Sequence, residues 1–227
     1  MMLLSTIHDP KGKLALPGKA CLPFLESIYK EIAFCITEST HPDTIDMLGD
    51  SAILNNAEGA ANGRRCALEL GLETEAKVLH YCDGDRILFW TLHYPDELKA
   101  VVKKFNDTKY FVILGRTKKA FKTHPLFQRV TEGIINLSTF SDVDYLSGSR
   151  IIPRDIAVRI LAQSRNNNAA ALDLEWPKIV GDFLYTQVDG LSYEHKVFGL
   201  EKPFKQEVKT RLENTLFSIR TQWQNVG

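Results

Sequence analysis

Five short, uninterrupted apolar runs, Met2–Ile7, Ile32–Thr37, Ser51–Asn55, Lys77–Cys82 and Tyr110–Leu114, punctuate the first half of this chain. A strand wetted on one face alternates apolar with polar residues, so continuous runs of this length belong to strands covered on both faces. Helical spacing fills the intervals. Pro23–Ile32 carries Phe24, Ile28 and Ile32 four residues apart, and Asn62–Leu72 repeats Cys66, Ala67, Leu70 and Leu72. Pro95–Phe105 opens on Asp96 and Glu97 and closes on Lys103 and Lys104, the charge order that complements a helix dipole. Strands alternating with helices predict an α/β fold: a mostly parallel central sheet, flanked by helices, with right-handed crossovers and ligands beyond the carboxyl ends of the strands.

The second half is less regular. Phe127–Phe140 and Arg154–Ser164 read as helices, the latter through Ile156, Ile160 and Leu161, Phe183–Val188 reads as a strand, and the polar run 165–168 as a loop. From Pro203 to Trp223 the spacing puts Phe204, Val208, Leu212, Leu216, Ile219 and Trp223 on one face. That predicts a long C-terminal amphipathic helix whose apolar face serves the domain core or a homodimer. Repeats, low-complexity segments and linkers are not visible in the sequence, so one domain spanning 1–227 is expected. A hydrophobic content of 44% supports a real core. With 28 basic and 28 acidic residues, no overall field gathers nucleic acid, and an anionic ligand has to be held locally. Cys21, Cys35, Cys66 and Cys82 are too scattered for a zinc ribbon or a disulfide framework. Neither a signal peptide nor an apolar run of the ~20 residues needed to span a bilayer is apparent, and a cytoplasmic location is expected.

The most informative segment is Ala76–Arg86, where an apolar run ends in Asp83-Gly84-Asp85. Two carboxylates at the mouth of a strand supply the hard oxygen ligands that Mg²⁺ or Mn²⁺ prefers, and they leave positions for phosphate oxygens. Gly84 is expected to let backbone and ligand approach closely. The bland alternative is a loop in which one Asp caps the next helix.

Upstream, Gly59-Ala60-Ala61-Asn62-Gly63-Arg64-Arg65 leads into a helix that contains Gly71-Leu72 and ends just before the carboxylate strand. This order resembles the family-2-like GT-A glycosyltransferases. Thr37-Glu38-Ser39-Thr40 through Asp43-Thr44 resembles their acidic turn after the second strand. Gly115-Arg116, then Asp144 with Ser147-Gly148, then Leu172-Asp173-Leu174-Glu175-Trp176 follow the order of their late elements. The resemblance implies a GT-A, Rossmann-like fold with a nucleotide-binding half at 1–116, an acceptor-side half at 117–202 and the terminal helix at 203–227. It implies a nucleotide-sugar donor, a hydroxyl acceptor and Mn²⁺ or Mg²⁺ held by Asp83 and Asp85, with His195 completing the shell. Thr6, Glu38, Arg64, Arg65, Asp83 and Arg116 are implied on the donor side. Asp173 is implied as the base for the acceptor hydroxyl, with Glu175 second. Trp90 and Trp176 serve either stacking on a ligand or core packing, and Lys118, Lys119 and Lys122 either phosphate contact or a basic surface.

Other classes fit less well. Phosphoryl transfer by an aspartate nucleophile also uses Asp-x-Asp, but after a first strand and with Thr or Val following, where this chain has Arg86 after the fourth. Nucleotidylyl transfer lacks its Gly-rich basic signature between Ile7 and Lys19. A non-catalytic binding module of the same fold is the third reading.

Overall fold

The structure, a computed structural model, describes residues 1–54, 60–193 and 204–223. Among them are strands β1 (Met2–Ile7), β2 (Glu31–Ile36), β3 (Ala52–Leu54), β4 (Val78–Cys82), β5 (Phe111–Arg116), β6 (Ser149–Pro153) and β7 (Phe183–Val188). They form a single sheet in the order β3-β2-β1-β4-β6-β5-β7. All run parallel except β6, which is antiparallel to both β4 and β5. The helices are α1 (Ala15–Ile28), α2 (Pro42–Leu48), α3 (Ala60–Leu72), α4 (Gly84–His93), α5 (Pro95–Phe105), α6 (Lys118–Thr123), α7 (Leu126–Thr139), α8 (Arg154–Gln163), α9 (Ala169–Val180) and α10 (Phe204–Trp223).

The continuous apolar runs are explained by a core on each face of the sheet. Leu3 and Ile7 of β1 pack with Leu25 of α1, Ile87 and Trp90 of α4 and Leu98 of α5. Met2 and Leu4 of the same strand face the other way, among Leu68 of α3, Ile156 of α8 and Trp176 of α9. Successive side chains of a strand point to opposite faces, so a strand covered twice has no wet position left. In the described residues no helix is long and apolar enough to cross a membrane, and the four cysteines are unbridged.

Several expectations need correcting. Pro23 does not open a helix: α1 begins at Ala15 and carries Pro23 inside, on an exposed position where solvent can replace the missing hydrogen bond. β6 was not anticipated at all. On α10, Leu212 and Leu216 do not face the core, being 44% and 55% exposed, whereas Thr215 and Ser218 are buried. The helix is seated between α7 and α9, where Asn168 donates to Asn214 Oδ1 (2.8 Å) and the Arg211 guanidinium lies over the Phe127 ring.

Two buried histidines give the fold a pH dependence. His80 is enclosed between the Tyr29 hydroxyl (2.6 Å) and the Ser149 hydroxyl (3.0 Å), and burial pushes its pKa down to about 3. His124 is likewise pushed to about 3 by burial, aided by the positive charges of Arg86 and Arg116. Both imidazoles stay neutral in the fold but protonate freely in the unfolded chain near pH 6.5. The stability they support is therefore complete above that pH and drains away as pH falls toward 3. The expected loss approaches ~1.4 kcal/mol per pH unit for each histidine. Urea midpoints measured from pH 7 to pH 5 should fall steadily, and a flat profile would contradict the buried neutral state.

Candidate active site

β4 lies between β1 and β6 with all five residues buried, so its end is held firmly. The chain leaves the strand at Asp83 and turns into α4. Asp83 occupies the cap position of that helix, yet its side chain makes no capping bond. Its carboxylate turns elsewhere. Oδ1 accepts from the Tyr81 hydroxyl (2.7 Å), and Arg64 Nη2 sits 3.3 Å from both Oδ1 and Oδ2. The bland capping role is thus not the one Asp83 plays.

Arg64 arrives from α3 and is buried, 8% exposed. Its Nη1 is 2.7 Å from Asp173 Oδ1 and also donates to the Ala169 carbonyl, while Nε donates to the Tyr81 hydroxyl (3.2 Å). Burial works against its charge, but Asp173 and then Asp83 outweigh that and raise its pKa further. Asp173, on α9, faces a second cation, Arg150 Nη2 at 3.6 Å. Burial pushes the Asp173 carboxyl up, against the pull of the two guanidinium groups. Arg150 comes from the start of β6, which pairs with the end of β4, and donates to Ser147 Oγ, to the Ser149 carbonyl and to the Tyr145 carbonyl. The result is a row of alternating charge, Asp83, Arg64, Asp173, Arg150, beyond the carboxyl edge of β4. Thr6, at the end of β1, touches this row only through the Tyr81 hydroxyl (2.9 Å).

Asp85 stands in the first turn of α4, its side chain 35% exposed and 4.0 Å from Arg86 Nε. Burial pushes its pKa up, and the Asp83 charge adds to that against the pull of Arg86. Asp83 and Asp85 thus offer two partly exposed hard carboxylates at one strand mouth. No group of three or more His, Cys, Asp or Glu side chains suited to a metal occurs among the described residues. The pair still fits Mg²⁺ or Mn²⁺, which commonly take one or two carboxylates and complete their shell with phosphate oxygens and water. His195, the expected third ligand, lies outside the described residues, as does Gly59.

Two glycines frame the pair. A Cβ on Gly84 would lie 2.5 Å from Ile7 Cγ1 and 2.9 Å from the Thr6 carbonyl oxygen, so Gly84 admits β1 rather than a ligand, contrary to the sequence expectation. Gly148, with φ +76°, accepts from Asp83 N–H (3.0 Å), and a Cβ there would stand 2.4 Å from Asp83 Oδ2. Gly148→Ala is expected to push the Asp83 carboxylate aside and to cost about 1–2 kcal/mol through the strained φ. A urea melt checks this, and an unchanged midpoint would contradict the contact.

Other candidates are employed elsewhere. Arg116 is not available to a donor: it is 3% exposed, donates to Asp144 Oδ2 through Nε (2.7 Å) and to Glu132 Oε2 (2.6 Å), and lies 3.3 Å from His124 Nδ1. A cation buried at the end of β5 needs such partners. Arg65 likewise turns to structure, donating to the Asn166 carbonyl (2.6 Å) and to Asn167 Oδ1. Glu175 accepts from the Ser164 hydroxyl and from Arg165 and Asn166 N–H, which makes it the clasp of the 164–167 loop rather than a second base. Trp90 and Trp176 are core residues, 0% and 1% exposed. Lys119 pairs with Asp189 (2.9 Å). Glu38 is exposed in the turn after β2. Sequence reasoning missed Tyr81 and Arg150. The only signal for Arg150 was a charge at the head of the short apolar run Ile151-Ile152, and Tyr81 is hidden inside a strand.

No protein-family model matches the chain, and no curated protein matches it in sequence. Solved structures do. Glucosyl-3-phosphoglycerate synthase from Mycobacterium tuberculosis superposes with a TM-score of 0.61 at 12% identity, over 96% of this chain and 80% of that one. The same enzyme in complex with Mn²⁺, UDP-glucose and phosphoglyceric acid gives 0.59 at 11% identity, over 96% and 79%. Its complex with Mg²⁺ and UDP gives 0.59 at 11%, over 96% and 78%. The chain therefore has the GT-A glycosyltransferase fold.

Proposed function

We propose that this chain is a divalent-metal-dependent glycosyltransferase that moves a sugar from a nucleoside-diphosphate donor to a hydroxyl acceptor. The observation that carries the reading is the pair Asp83 and Asp85 at the carboxyl edge of β4, with Asp83 joined through Arg64 to Asp173. The fold supports it, and so do the Mn²⁺, Mg²⁺ and UDP-glucose complexes of the structurally similar synthase.

In this reading Asp83 and Asp85 hold Mn²⁺ or Mg²⁺, and a bound ion would supply charge balance for the departing diphosphate. The rest is the work of the chain. Tyr81, itself oriented by Thr6 and Arg64, aims the Asp83 carboxylate, and the Gly148 backbone backs it from the other side. Asp173, expected from the sequence as the base, is occupied by two guanidinium groups and here acts as a positioning residue for Arg64. Glu38, exposed beyond the end of β2, is read as a contact for the nucleotide. The four unbridged thiols suit a cytoplasmic enzyme.

The test is a thermal-shift titration of UDP-glucose with and without Mn²⁺, followed by assay of UDP release. A ligand that binds only the folded state must raise its apparent stability. We expect a shift that needs Mn²⁺, disappears with EDTA and is lost in Asp85→Asn. Binding without UDP release would point to a non-catalytic module, and a shift indifferent to both Mn²⁺ and Asp85 would remove the metal from the reading.

A further inference from the structure

Resting on the metal reading above, we propose that Arg64 is a stand-in for the divalent ion: its guanidinium occupies the chelating side of the Asp83 carboxylate and gives way toward Asp173 when the ion binds. The occupancy of Asp83 carries this. An ionised carboxylate offers about four lone-pair directions. Tyr81 takes one on Oδ1 at 2.7 Å, and Arg64 Nη2, equidistant at 3.3 Å from Oδ1 and Oδ2, takes the inner pair. Gly148 lies against Oδ2, close enough that a Cβ there would come within 2.4 Å. Asp83 keeps 28% of its side chain exposed, but a cation that chelates both of its oxygens meets Arg64 there first. Asp85, two residues along the chain, 35% exposed and 4.0 Å from Arg86 Nε, is the carboxylate that receives the ion first.

Arg64 has somewhere to go. Its Nη1 already makes the shorter contact, 2.7 Å to Asp173, against 3.3 Å from Nη2 to Asp83. Withdrawal from Asp83 leaves it paired, so the buried guanidinium is never stranded. Arg150 at 3.6 Å keeps Asp173 compensated in both states. Like charge drives the exchange: a dication and a guanidinium on one carboxylate repel strongly in a partly buried site. The charges of Asp83, Arg64, Asp173 and Arg150 thus balance without metal, and Arg64 shifts within the row as the ion enters.

Manganese binding to the full-length protein, followed by the loss of free Mn²⁺ signal in electron paramagnetic resonance, tests the idea. The charge-balanced variant R64Q/D173N should bind Mn²⁺ about tenfold more tightly than the wild type. R65Q removes the same charge one residue along without touching Asp83, and it should stay within about twofold. Because the double variant alters two buried side chains, the wild type is also followed by the side-chain Nε–H resonances of its arginines while diamagnetic Mg²⁺ is added. The Arg64 resonance should move and that of Arg116 should not. Equal or weaker Mn²⁺ binding by R64Q/D173N, or a stationary Arg64 resonance while Mg²⁺ binds, overturns the proposal alone. Failure of every protein to take up Mn²⁺, even with UDP present, overturns it together with the metal reading.

Discussion

Under the proposed function, replacing Asp83 by alanine is expected to lower the rate of sugar transfer on the order of a hundredfold to a thousandfold, while stability changes by only about 1 kcal/mol. The asymmetry follows from what the side chain touches. Its carboxylate makes no capping bond to α4, so alanine removes no helix cap. It is 28% exposed, and Arg64 keeps Asp173 as partner when Asp83 is gone. What is lost is one of the two hard oxygen donors at the strand mouth and the point on which Tyr81 is aimed. Single-turnover rates with UDP-glucose and Mn²⁺, set beside urea midpoints, separate the two quantities. Wild-type turnover, or destabilisation beyond about 3 kcal/mol with the rate explained by unfolding, would contradict this division.

Arg116→Ala should behave in the opposite way, destabilising the protein by about 3–5 kcal/mol without touching the Asp83 cluster. Arg116 is joined to both Asp144 and Glu132, and burial already pushes the Glu132 carboxyl up in spite of the guanidinium. Removing the cation leaves two enclosed carboxylates without their contact partner, with only the more distant Arg150 charge still acting on Asp144, and His124, 3.3 Å away, loses the group its Nδ1 faces. His124 in turn holds the Leu191 carbonyl (3.1 Å), so the damage should spread into the loop after β7. A variant that removes charge evenly, R116M/E132Q/D144N, should recover much of the loss, because the penalty belongs to the unpaired charge rather than to missing contacts. Urea melts of the two proteins decide it. Equal midpoints for R116A and the triple variant would mean that the network contributes shape and not charge.

The same two residues show what the sequence can and cannot convey. Asp83 was legible because a covered strand writes itself as an unbroken apolar run, and an acid immediately after such a run marks the edge of the sheet. Arg116 looked like its counterpart after β5, and the error lay in its partners. Glu132 sits on α7, whose inward face carries Gln128, Thr131 and Glu132 while Leu126, Val130, Ile134 and Leu137 face solvent. Hydrophobic periodicity assigns such a helix its correct span but the wrong side. The Leu212 and Leu216 stripe of α10 misled in the same manner, since Asn214 and Arg211 set how that helix is seated. β6 was lost because Ser149 and Arg150 open it and only Ile151 and Ile152 read as strand. Arg64 was named for a diphosphate, and the sequence held no sign that Asp173, more than a hundred positions later, would meet it.

The reversal of β6 has an architectural consequence. In a sheet of uniform direction, everything assembled at one rim comes from strands that finish there. Here a strand also sets out from that rim, so Gly148 reaches Asp83, and Arg150 reaches Asp173, from the opposite chain direction. The centre is therefore gripped between an outgoing and an incoming thread, and the incoming one is itself tied to the end of β5, where Asp144 accepts from the Arg116 backbone N–H and Nε.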